Sequence, residues 1–347
     1  MMKILIVGSF QWEMYAPAFY HAWRDMGHEV ERIDYTNYSF KRKTPLASFL
    51  NRVQNRYHYG FFMRRYNSDI LVKVNDFKPD FVFLYRCYHV YGDTVEIIRK
   101  QTVVFSYNND DPFSGVPSGL YYRNYFADAR YCHLNYVYRK KNVEDFKVIG
   151  VNNTEVLLPY FRKASNYPID TDKDVPLAFL GHFENDGRDK YIYELKHAGV
   201  PVVVYGDEHW ANAPLYEEIK DVVFPAKRGE EYNEIINRAR ICLVFFSKLN
   251  HDTYTRRCFE IPAAKSVMLS EYTEDMNELF PENECAIYFR NTEELIRKSA
   301  YLLENNSEIE RIANNALKRV LELGGSEFDR CQQIIEDYKR ISSAINE

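Results

Sequence analysis

The sequence predicts an α/β protein with two Rossmann-like domains. At 347 residues the chain is long for a single hydrophobic core, so two domains of ordinary size are expected. Both halves of the chain open with an apolar strand, a helix and a second strand, which is the pattern of a parallel sheet. These elements are predicted at residues 3–7, 13–26 and 29–34 in the first half, and at 176–180, 189–197 and 200–205 in the second.

The alternation of strands and helices continues along each half. Further strands are predicted at residues 81–85, 102–107, 130–135, 156–158, 241–246, 266–270 and 286–289. Further helices are predicted at residues 140–146, 230–238 and 273–279, and from Thr292, Ser307 and Glu327. A run rich in Pro, Asn, Asp and Lys at 159–175 is the best linker. We therefore expect domains at 1–160 and 161–326, and a separate C-terminal helix at 327–347.

Composition and charge exclude several classes of protein. A net charge of −5 argues against a dedicated nucleic-acid binder, and no window approaches the roughly eighteen apolar residues that span a bilayer. The apolar core of the amino terminus is too short for a signal peptide. Six scattered cysteines without a C-x-x-C pair indicate free thiols in a reducing cytoplasm. The nine histidines show no ligand spacing, so neither a metal nor another cofactor is expected.

Residues 41–66 form the most basic segment of the chain. They carry seven Lys or Arg and no acidic residue, so removing their +7 from the net −5 leaves −12 on the remainder. A basic helix interleaved with Phe61, Phe62 and Met63 is typical of peripheral contact with an anionic membrane, here its inner face, or of a phosphorylated acceptor. The sequence favours a different interpretation over these contacts, a solvated helix whose aromatic side packs on the sheet.

A polar loop follows the strand predicted at 241–246 and places Asp252, Arg257 and Glu260 at its carboxyl end. Ligands of open α/β sheets collect at this edge. A carboxylate at a helix start can accept hydrogen bonds from a vicinal diol, and an arginine can bind phosphate through its fork of donors. Diol and phosphate together describe a nucleotide sugar. The helix itself is expected to begin at Pro262, because proline suits a first helical turn.

Gly181 follows the first strand of the second half, and Arg188 lies close to the following helix. A glycine between a strand end and a helix start offers backbone N–H groups and a helix dipole to a diphosphate, and Arg188 adds a positive charge. In the first half, Gly8 stands alone without a G-x-G-x-x-G pattern. A nicotinamide or flavin dinucleotide is therefore not expected.

Asp110 and Asp111 belong to a polar cluster at the end of the strand predicted at 102–107. They are candidate catalytic residues, although an aspartate before Pro112 is also an ordinary turn signal. A metal-binding Asp-x-Asp motif at 109–111 is disfavoured, because its first position is asparagine and the order of elements fits two Rossmann halves.

Several stretches resemble the CgeB-like (spore-maturation type) group 1 glycosyltransferases. They are Arg257, Phe259, Glu260, Pro262 and Ala263, the runs MLSEYTEDMNELF (268–280) and YFRNTEELIRKSAYLLEN (288–305), and the Asp-Asp-Pro run at 110–112. The resemblance implies the GT-B fold, in which two Rossmann-like domains face a central cleft and the last helix crosses back to the N-terminal domain. It also implies that the glycine loop at Gly181 lies at the donor diphosphate.

The resemblance also assigns roles to two carboxylates. In the wider retaining branch of the fold, two glutamates separated by seven residues contact the donor sugar hydroxyls and the ribose. Asp252 and Glu260 have this spacing, although the aspartate is shorter by one methylene. Lys265 stands where the family usually has glycine, and a left-handed helix cap there would cost lysine roughly 1 kcal/mol.

The expected function is transfer of a sugar from a UDP- or dTDP-sugar to a hydroxyl of a glycan, a lipid-linked glycan or a protein. Gly181, Arg188, Arg257 and Glu260 are the expected donor-binding residues, and Asp110, Asp111 and Asp252 the catalytic ones. The carboxylate spacing favours retention, whereas an inverting enzyme would use Asp110 or Asp111 as general base. Two alternatives are a sugar-nucleotide epimerase of the same build and a catalytically silent protein that binds a glycan or a partner.

Overall fold

The computed structural model describes residues 1–40, 44–115 and 120–346. The chain divides into two compact units, each described by itself. The first contains the chain up to Leu158 and the C-terminal segment from Glu327, and the second is Pro159–Ser326. None of the helices in these described ranges is long and apolar enough to cross a membrane.

The first unit is built on a six-stranded parallel sheet. Its strands are β1 (Lys3–Gly8), β2 (Glu29–Asp34), β3 (Phe81–Tyr85), β4 (Val103–Asn108), β5 (Leu134–Val137) and β6 (Thr154–Val156), in the order β2-β1-β3-β4-β5-β6. Strands β3, β4 and β5 are buried along their whole length, because helices cover both faces of a parallel sheet. This explains why these strands are continuous apolar runs in the sequence.

In the described part of this unit, six α-helices precede the linker. They are α1 (Ala16–Asp25), α2 (Pro45–Tyr57), α3 (Phe61–Phe77), α4 (Gly92–Ile98), α5 (Arg123–Ala129) and α6 (Lys140–Val148). The single basic helix expected near 41–66 is two helices, separated at His58, whose φ is 49°. The expectation that its aromatic side packs on the sheet is wrong for α2, since Phe49 and Tyr57 are exposed. Residues 41–43 of the predicted basic segment lie outside the described residues.

The second unit is a second six-stranded parallel sheet. Its strands are β7 (Val175–Leu180), β8 (Val202–Gly206), β9 (Val223–Pro225), β10 (Ala239–Val244), β11 (Val267–Glu271) and β12 (Ile287–Phe289), in the order β12-β11-β10-β7-β8-β9. Its helices are α7 (Arg188–His197), α8 (Tyr216–Ile219), α9 (Gly229–Arg238), α10 (Arg257–Ala263), α11 (Glu274–Leu279), α12 (Thr292–Glu304) and α13 (Asn306–Glu322). The predicted α/β class with two Rossmann-like sheets is confirmed.

The last helix, α14 (Glu327–Asn346), belongs to the first unit and packs on α1. Its Cys331 carbonyl accepts a hydrogen bond from the indole of Trp23 at 3.3 Å. Further along the helix, Asp337 accepts a hydrogen bond from the Tyr136 hydroxyl at 2.6 Å. These contacts join the end of the chain to its first helix and to β5.

Helix α10 differs from the prediction at its start. It begins at Arg257, and Pro262 lies in its last turn instead of its first. The position is tolerated because the helix ends directly afterwards, so that few backbone hydrogen bonds are lost. As a consequence, Arg257 and Glu260 both belong to the first turn of the helix.

The end of α10 is the left-handed cap anticipated at Lys265. Its φ is 55°, its N–H donates to Pro262 O at 2.9 Å, and the Ser266 N–H donates to Ile261 O at 3.2 Å. These are the two hydrogen bonds of a Schellman motif, which usually has glycine at this position. Lysine therefore occupies a backbone conformation that disfavours a side chain.

The segment at 159–175 has little regular structure, but side chains of α9 hold it in place. Asn237 Oδ1 accepts from the Ile169 N–H at 2.7 Å, and both Asn233 and Asn237 donate to the Tyr167 carbonyl at 3.1 and 3.0 Å. The linker expected from composition is therefore an ordered part of the second unit.

Candidate functional site

In the second unit, strands β7 and β10 mark the point where the order of strands reverses. The chain runs from β7 through β8 and β9 on one side before it returns to β10 on the other. Ligands of open α/β sheets bind at the carboxyl ends of strands at such a switch point. The loops that follow β7 and β10 contact each other there, since Ser247 Oγ donates to Glu184 at 2.5 Å and Lys248 Nζ to the Asp186 carbonyl at 2.9 Å.

Gly181 and Arg257 lie against each other at this switch point. A Cβ atom built on Gly181 would lie 2.6 Å from Nη2 of Arg257 and 2.8 Å from the Phe179 ring. Only glycine therefore allows the guanidinium this close to the end of β7. The Gly181 N–H is itself bonded to the Tyr205 carbonyl at 3.0 Å, so its contribution is space for the arginine.

The Arg257 guanidinium has no carboxylate partner among the residues that the structure describes. It lies 5.8 Å from the centre of the Phe179 ring and is partly exposed. A partly exposed cation without a counter-ion, next to a glycine, is suited to bind an anionic group of a ligand.

Arg188 is placed differently from Arg257. Its side chain is only 4% exposed, and Asp186 binds it through two hydrogen bonds, from Nε at 2.8 Å and from Nη2 at 2.6 Å. A third bond runs from Nη1 to the His182 carbonyl at 2.7 Å. Arg188 therefore holds the loop after β7 in shape, and direct contact with a phosphate would require the Asp186 pair to open.

Glu184 lies at the centre of a network that the sequence did not reveal. Its carboxylate is bonded by His182 Nε2 at 2.9 Å and by the Ser247 hydroxyl, and Arg188 Nη2 lies 3.5 Å away. Burial by itself raises the pKa of Glu184, but these hydrogen bonds and the arginine charge outweigh it and lower the pKa to about 2. An ionised Glu184 thus joins the loops after β7 and β10.

Glu260 lies on α10, is 5% exposed and has two partners. Tyr232 of α9 donates its hydroxyl to Oε2 at 2.7 Å, and Arg256 Nε lies 2.6 Å from Oε1. Burial, followed by the neighbouring carboxylate, raises the pKa of Tyr232 well above its ordinary value, so the phenol stays protonated and donates. The side chain of Glu260 is therefore oriented from both sides, and Tyr232 is a site residue missed in the sequence.

Asp252 lies in the loop between β10 and α10. Its backbone N–H donates to the Ser247 carbonyl at 2.9 Å, which closes a turn, and Asn250 Nδ2 lies 3.4 Å from its carboxylate. Its side chain is partly exposed. The loop therefore brings Asp252 to the same edge of the sheet as Arg257 and Glu260.

In the first unit, the switch point lies between β1 and β3, and Asp110 follows the neighbouring strand β4. Arg86, directly after β3, forms an ion pair with Asp110, and the Tyr88 hydroxyl lies 2.9 Å from the same carboxylate. Arg86 Nε also donates to the Tyr88 hydroxyl at 3.1 Å. The Asp110 and Arg86 side chains are 27% and 28% exposed, so this cluster is accessible to a ligand.

Arg86 adopts an unusual backbone conformation, with a φ of 51°. Positive φ costs a non-glycine residue free energy, and such residues are concentrated at functional sites. The guanidinium lies 5.1 Å from the Tyr15 ring, from the loop before α1. Arg86 and Tyr88 were missed in the sequence, although both directly follow a predicted strand and the strand-end rule could have found them.

Asp111 has a different environment from Asp110. It is fully buried, and its Oδ1 accepts hydrogen bonds from Asn142 Nδ2 at 2.7 Å and from the Phe113 N–H at 2.9 Å. This carboxylate fixes the turn after β4 to α6. Of the two adjacent aspartates, only Asp110 presents its carboxylate to solvent.

Among the residues that the structure describes, no three His, Cys, Asp or Glu side chains are grouped so as to hold a metal ion.

The predicted site residues lie at two places. Arg257, Glu260 and Asp252 share one edge of the second sheet, and Asp110 lies at an edge of the first.

Comparison with known proteins extends this picture. A family model described as glycosyl transferase-like matches residues 188–334. No curated protein has a sequence similar enough to match the chain.

Solved structures share the fold over almost the whole chain. Sucrose-phosphate synthase from Thermosynechococcus elongatus has a TM-score of 0.71 at 12% identity, covering 99% of this chain and 100% of that one. Anabaena Alr3699/HepE, in complex with UDP-glucose, has a TM-score of 0.70 at 11% identity, covering 98% and 100%. A Listeria monocytogenes protein described as a candidate UDP-N-acetylglucosamine 2-epimerase has a TM-score of 0.60 at 11% identity, covering 96% and 95%.

The similarity to these solved structures shows the fold, and the match to the family model supports the enzyme class. The CgeB-like subgroup stays a prediction. The predicted GT-B fold is confirmed, and so is the predicted enzyme class, a glycosyltransferase.

Proposed function

We propose that this chain transfers a sugar from a UDP- or dTDP-sugar to a hydroxyl of a glycan, a lipid-linked glycan or a protein, as a CgeB-like glycosyltransferase. The observation that carries the proposal is the Arg257 guanidinium against Gly181, at the switch point of the second sheet, with no carboxylate partner among the described residues. The fold shared with HepE, whose structure contains UDP-glucose, supports a donor of this class.

Arg257 binds the diphosphate in this proposal, and its positive charge stabilises the leaving group as the glycosidic bond breaks. Such a preorganised positive charge stabilises the negative charge that develops on the leaving diphosphate in the transition state. A cation already in place at the diphosphate is the reason that we propose transfer without a metal. Arg188 positions the loop after β7, and Gly181 leaves room for Arg257.

Glu260 accepts hydrogen bonds from the ribose hydroxyls. Tyr232 and Arg256 orient its carboxylate from two sides, which is the preorganisation that a diol-binding group needs. Asp252, on the same edge, contacts the hydroxyls of the transferred sugar. The two carboxylates together support retention of configuration.

Asp110 is the acceptor-side candidate. As a general base in an inverting reaction it would have to exchange its Arg86 partner for the acceptor hydroxyl. Asp111 is buried and bonded to Asn142, so we propose that it supports the position of Asp110.

Binding of the donor nucleotide is the first test. A thermal-shift titration with UDP, dTDP, GDP and ADP should raise the melting temperature with UDP or dTDP, because a ligand of the folded state stabilises it. Arg257→Ala should weaken this binding about tenfold or more, since a charge-assisted hydrogen bond contributes about 1.5–3 kcal/mol. Arg297→Ala, at an exposed arginine of α12, is the matched control. Equal binding by Arg257→Ala, or no response to any nucleotide, would refute the proposed donor site.

A sugar-nucleotide epimerase is the second candidate, because the Listeria protein shares the fold. Incubation with the donor alone separates the two reactions. A transferase should leave the sugar configuration of the donor unchanged, whereas an epimerase should produce an isomeric donor without an acceptor. NMR of the product formed from donor and acceptor then shows which anomer is made, and so distinguishes retention from inversion. Binding of the nucleotide without transfer to any acceptor would indicate the third possibility, a catalytically silent protein that binds a glycan or a partner.

A further inference from the structure

Helix α2 presents an apolar face that the other described residues of the first unit leave exposed. Five large apolar or aromatic side chains of this helix are exposed, by 67% for Leu46, 54% for Phe49, 37% for Leu50, 37% for Val53 and 53% for Tyr57. Exposure of apolar side chains to water is unfavourable, so a row of them at the surface is unusual in the absence of a partner surface.

These five residues form one continuous stripe. At 100° per residue they fall within an arc of about 100° on the helix surface. Ala47 and Gln54, the two buried residues of the helix, lie beside this stripe, next to Leu50. The helix is therefore held on one small and one polar residue while its apolar stripe stays exposed, unlike an ordinary packed helix.

Exposed apolar side chains are concentrated in this region. Of the 21 large hydrophobic residues exposed in the described part of the chain, eight lie between Phe40 and Phe61. An apolar groove of about 510 Å³ adjoins the stripe, and Leu46, Leu50 and Phe62 line it. The apolar surface is thus a patch that includes α2 and its flanks.

The edge of the stripe is positively charged. Arg56 and Arg52 follow Phe49 around the helix, are exposed, and have no carboxylate partner among the described residues. The segment 41–66 carries +7 with no acidic residue, whereas the rest of the chain carries −12. A basic rim beside an apolar face is complementary to a surface that is both anionic and apolar beneath its charges.

We propose that α2 lies in the plane of an anionic lipid bilayer, with its apolar stripe in the boundary between headgroups and acyl chains and its arginines at the lipid phosphates. With 13 residues the helix is too short to span a bilayer and long enough to lie on it. The proposal does not depend on which sugar is transferred. It places the first unit at a membrane surface.

A second copy of the chain fits this face less well. A symmetric dimer through α2 would place Arg52 and Arg56 of both copies at the rim of a single interface. Like charges at such an interface oppose association. An anionic lipid surface instead neutralises them, each basic residue near the surface contributing binding that is lost in high salt.

Vesicle flotation of the full-length protein tests the proposal. The protein should float with vesicles of phosphatidylcholine and phosphatidylglycerol, bind weakly to pure phosphatidylcholine, and be released from the mixed vesicles at high salt. Phe49→Ser/Val53→Ser and Arg52→Glu/Arg56→Glu should each reduce the partition coefficient about tenfold or more. All four positions are exposed, so the variants should keep the melting temperature of the wild type.

Matched control pairs lie outside the patch. Val148→Ser/Leu321→Ser changes side chains that are 86% and 57% exposed, and Arg130→Glu/Arg297→Glu makes the same charge change elsewhere. Both should float like the wild type. The proposal is overturned if the wild type does not bind anionic vesicles, if the stripe variants bind as well as the controls, or if gel filtration shows a dimer that Phe49→Ser/Val53→Ser converts to monomer. Binding of UDP or dTDP by these variants reports separately on the donor site.

Discussion

The close approach of Arg257 to Gly181 depends on the absence of a single methyl group. Nη2 of the arginine lies only 2.6 Å from the place that a Cβ at position 181 would occupy. The guanidinium also has the Phe179 ring on one side, which leaves it few alternative positions. A substitution at the glycine therefore acts on the position of the arginine.

A double-mutant cycle tests this dependence. Gly181→Ala should weaken UDP or dTDP binding about tenfold, because it displaces the Arg257 guanidinium. Gly181→Ala/Arg257→Ala should bind about as weakly as Arg257→Ala alone, since residues that act through one contact are not additive. Calorimetric titration measures all four affinities. Losses that multiply in the double variant would show that Gly181 acts independently of the arginine.

Lys265 offers a stability test at one residue. Lys265→Gly should stabilise the second unit by about 1 kcal/mol, because glycine adopts the φ of 55° without strain. Lys265→Ala should bring no comparable gain, since alanine keeps the Cβ. Chemical denaturation of the three proteins makes the comparison. Equal stability of the glycine and lysine forms would mean that the strain is relieved elsewhere.

At the scale of elements, the junction of α2 and α3 contains a buried histidine. His58 is 1% exposed, and its ring centre lies 4.4 Å from that of His89 and 5.2 Å from that of Tyr121. Burial and the nearby positive charge of Arg123 lower the pKa of His58 from 6.5 to about 4. The pKa of His89 is also lowered, by burial and by His58.

This junction should lose stability in mild acid. A histidine whose pKa is lowered in the folded state binds its proton more readily in the unfolded state. The contribution of neutral His58 to the free energy of unfolding is therefore fully present above pH 6.5 and is lost as the pH falls towards 4. From pH 7 to pH 5, the titration of His58 should lower amide protection at the junction by up to about 20-fold after correction for intrinsic exchange.

Two variants control the acid experiment. His58→Asn removes the titrating group and retains a residue that tolerates φ near 50°, so its protection should change less with pH. His21→Asn, at an exposed histidine, should behave like the wild type. Identical pH profiles for His58→Asn and the wild type would assign the acid sensitivity to another group.

At the scale of the whole molecule, the first unit is assembled from both ends of the chain. Helix α14 buries Cys331, Ile334 and Ile335, and Arg340 forms an ion pair with Glu155 at 3.0 Å. The first unit therefore cannot complete its packing until the last residues of the chain are present.

Removal of α14 tests this assembly. Deleting residues 327–347 should destabilise the first unit by about 5 kcal/mol, from the exposure of three buried side chains and their neighbours. Calorimetry should show its transition at a lower temperature, while the transition of Pro159–Ser326 is retained. Deleting only residues 343–347, whose described side chains are exposed up to Ile345, should change little. Unchanged transitions after the longer deletion would show that α14 is dispensable.

Much of the architecture was predictable because parallel strands are continuous apolar runs. Phe81–Tyr85 and Val175–Leu180 were recognised in this way, to within a residue. Short elements were not, as with Val223–Pro225, where the sequence analysis predicts no strand. Pro262 indicated a helix start and instead lies near a helix end, because local preference for proline at a first turn is weaker than the packing of α10.

The amino-acid sequence was enough to predict the α/β class, the enzyme class and the strand ends at which polar residues collect. Which of these polar residues are available to a ligand depends on the folded chain. Arg188 and Arg257 are equivalent cations in the sequence, yet Asp186 neutralises the first and the second is unpaired among the described residues. Glu260 is oriented by Tyr232, 28 residues away in the chain. Periodicity depends on neighbours along the chain, whereas charge pairing depends on distances that exist only after folding.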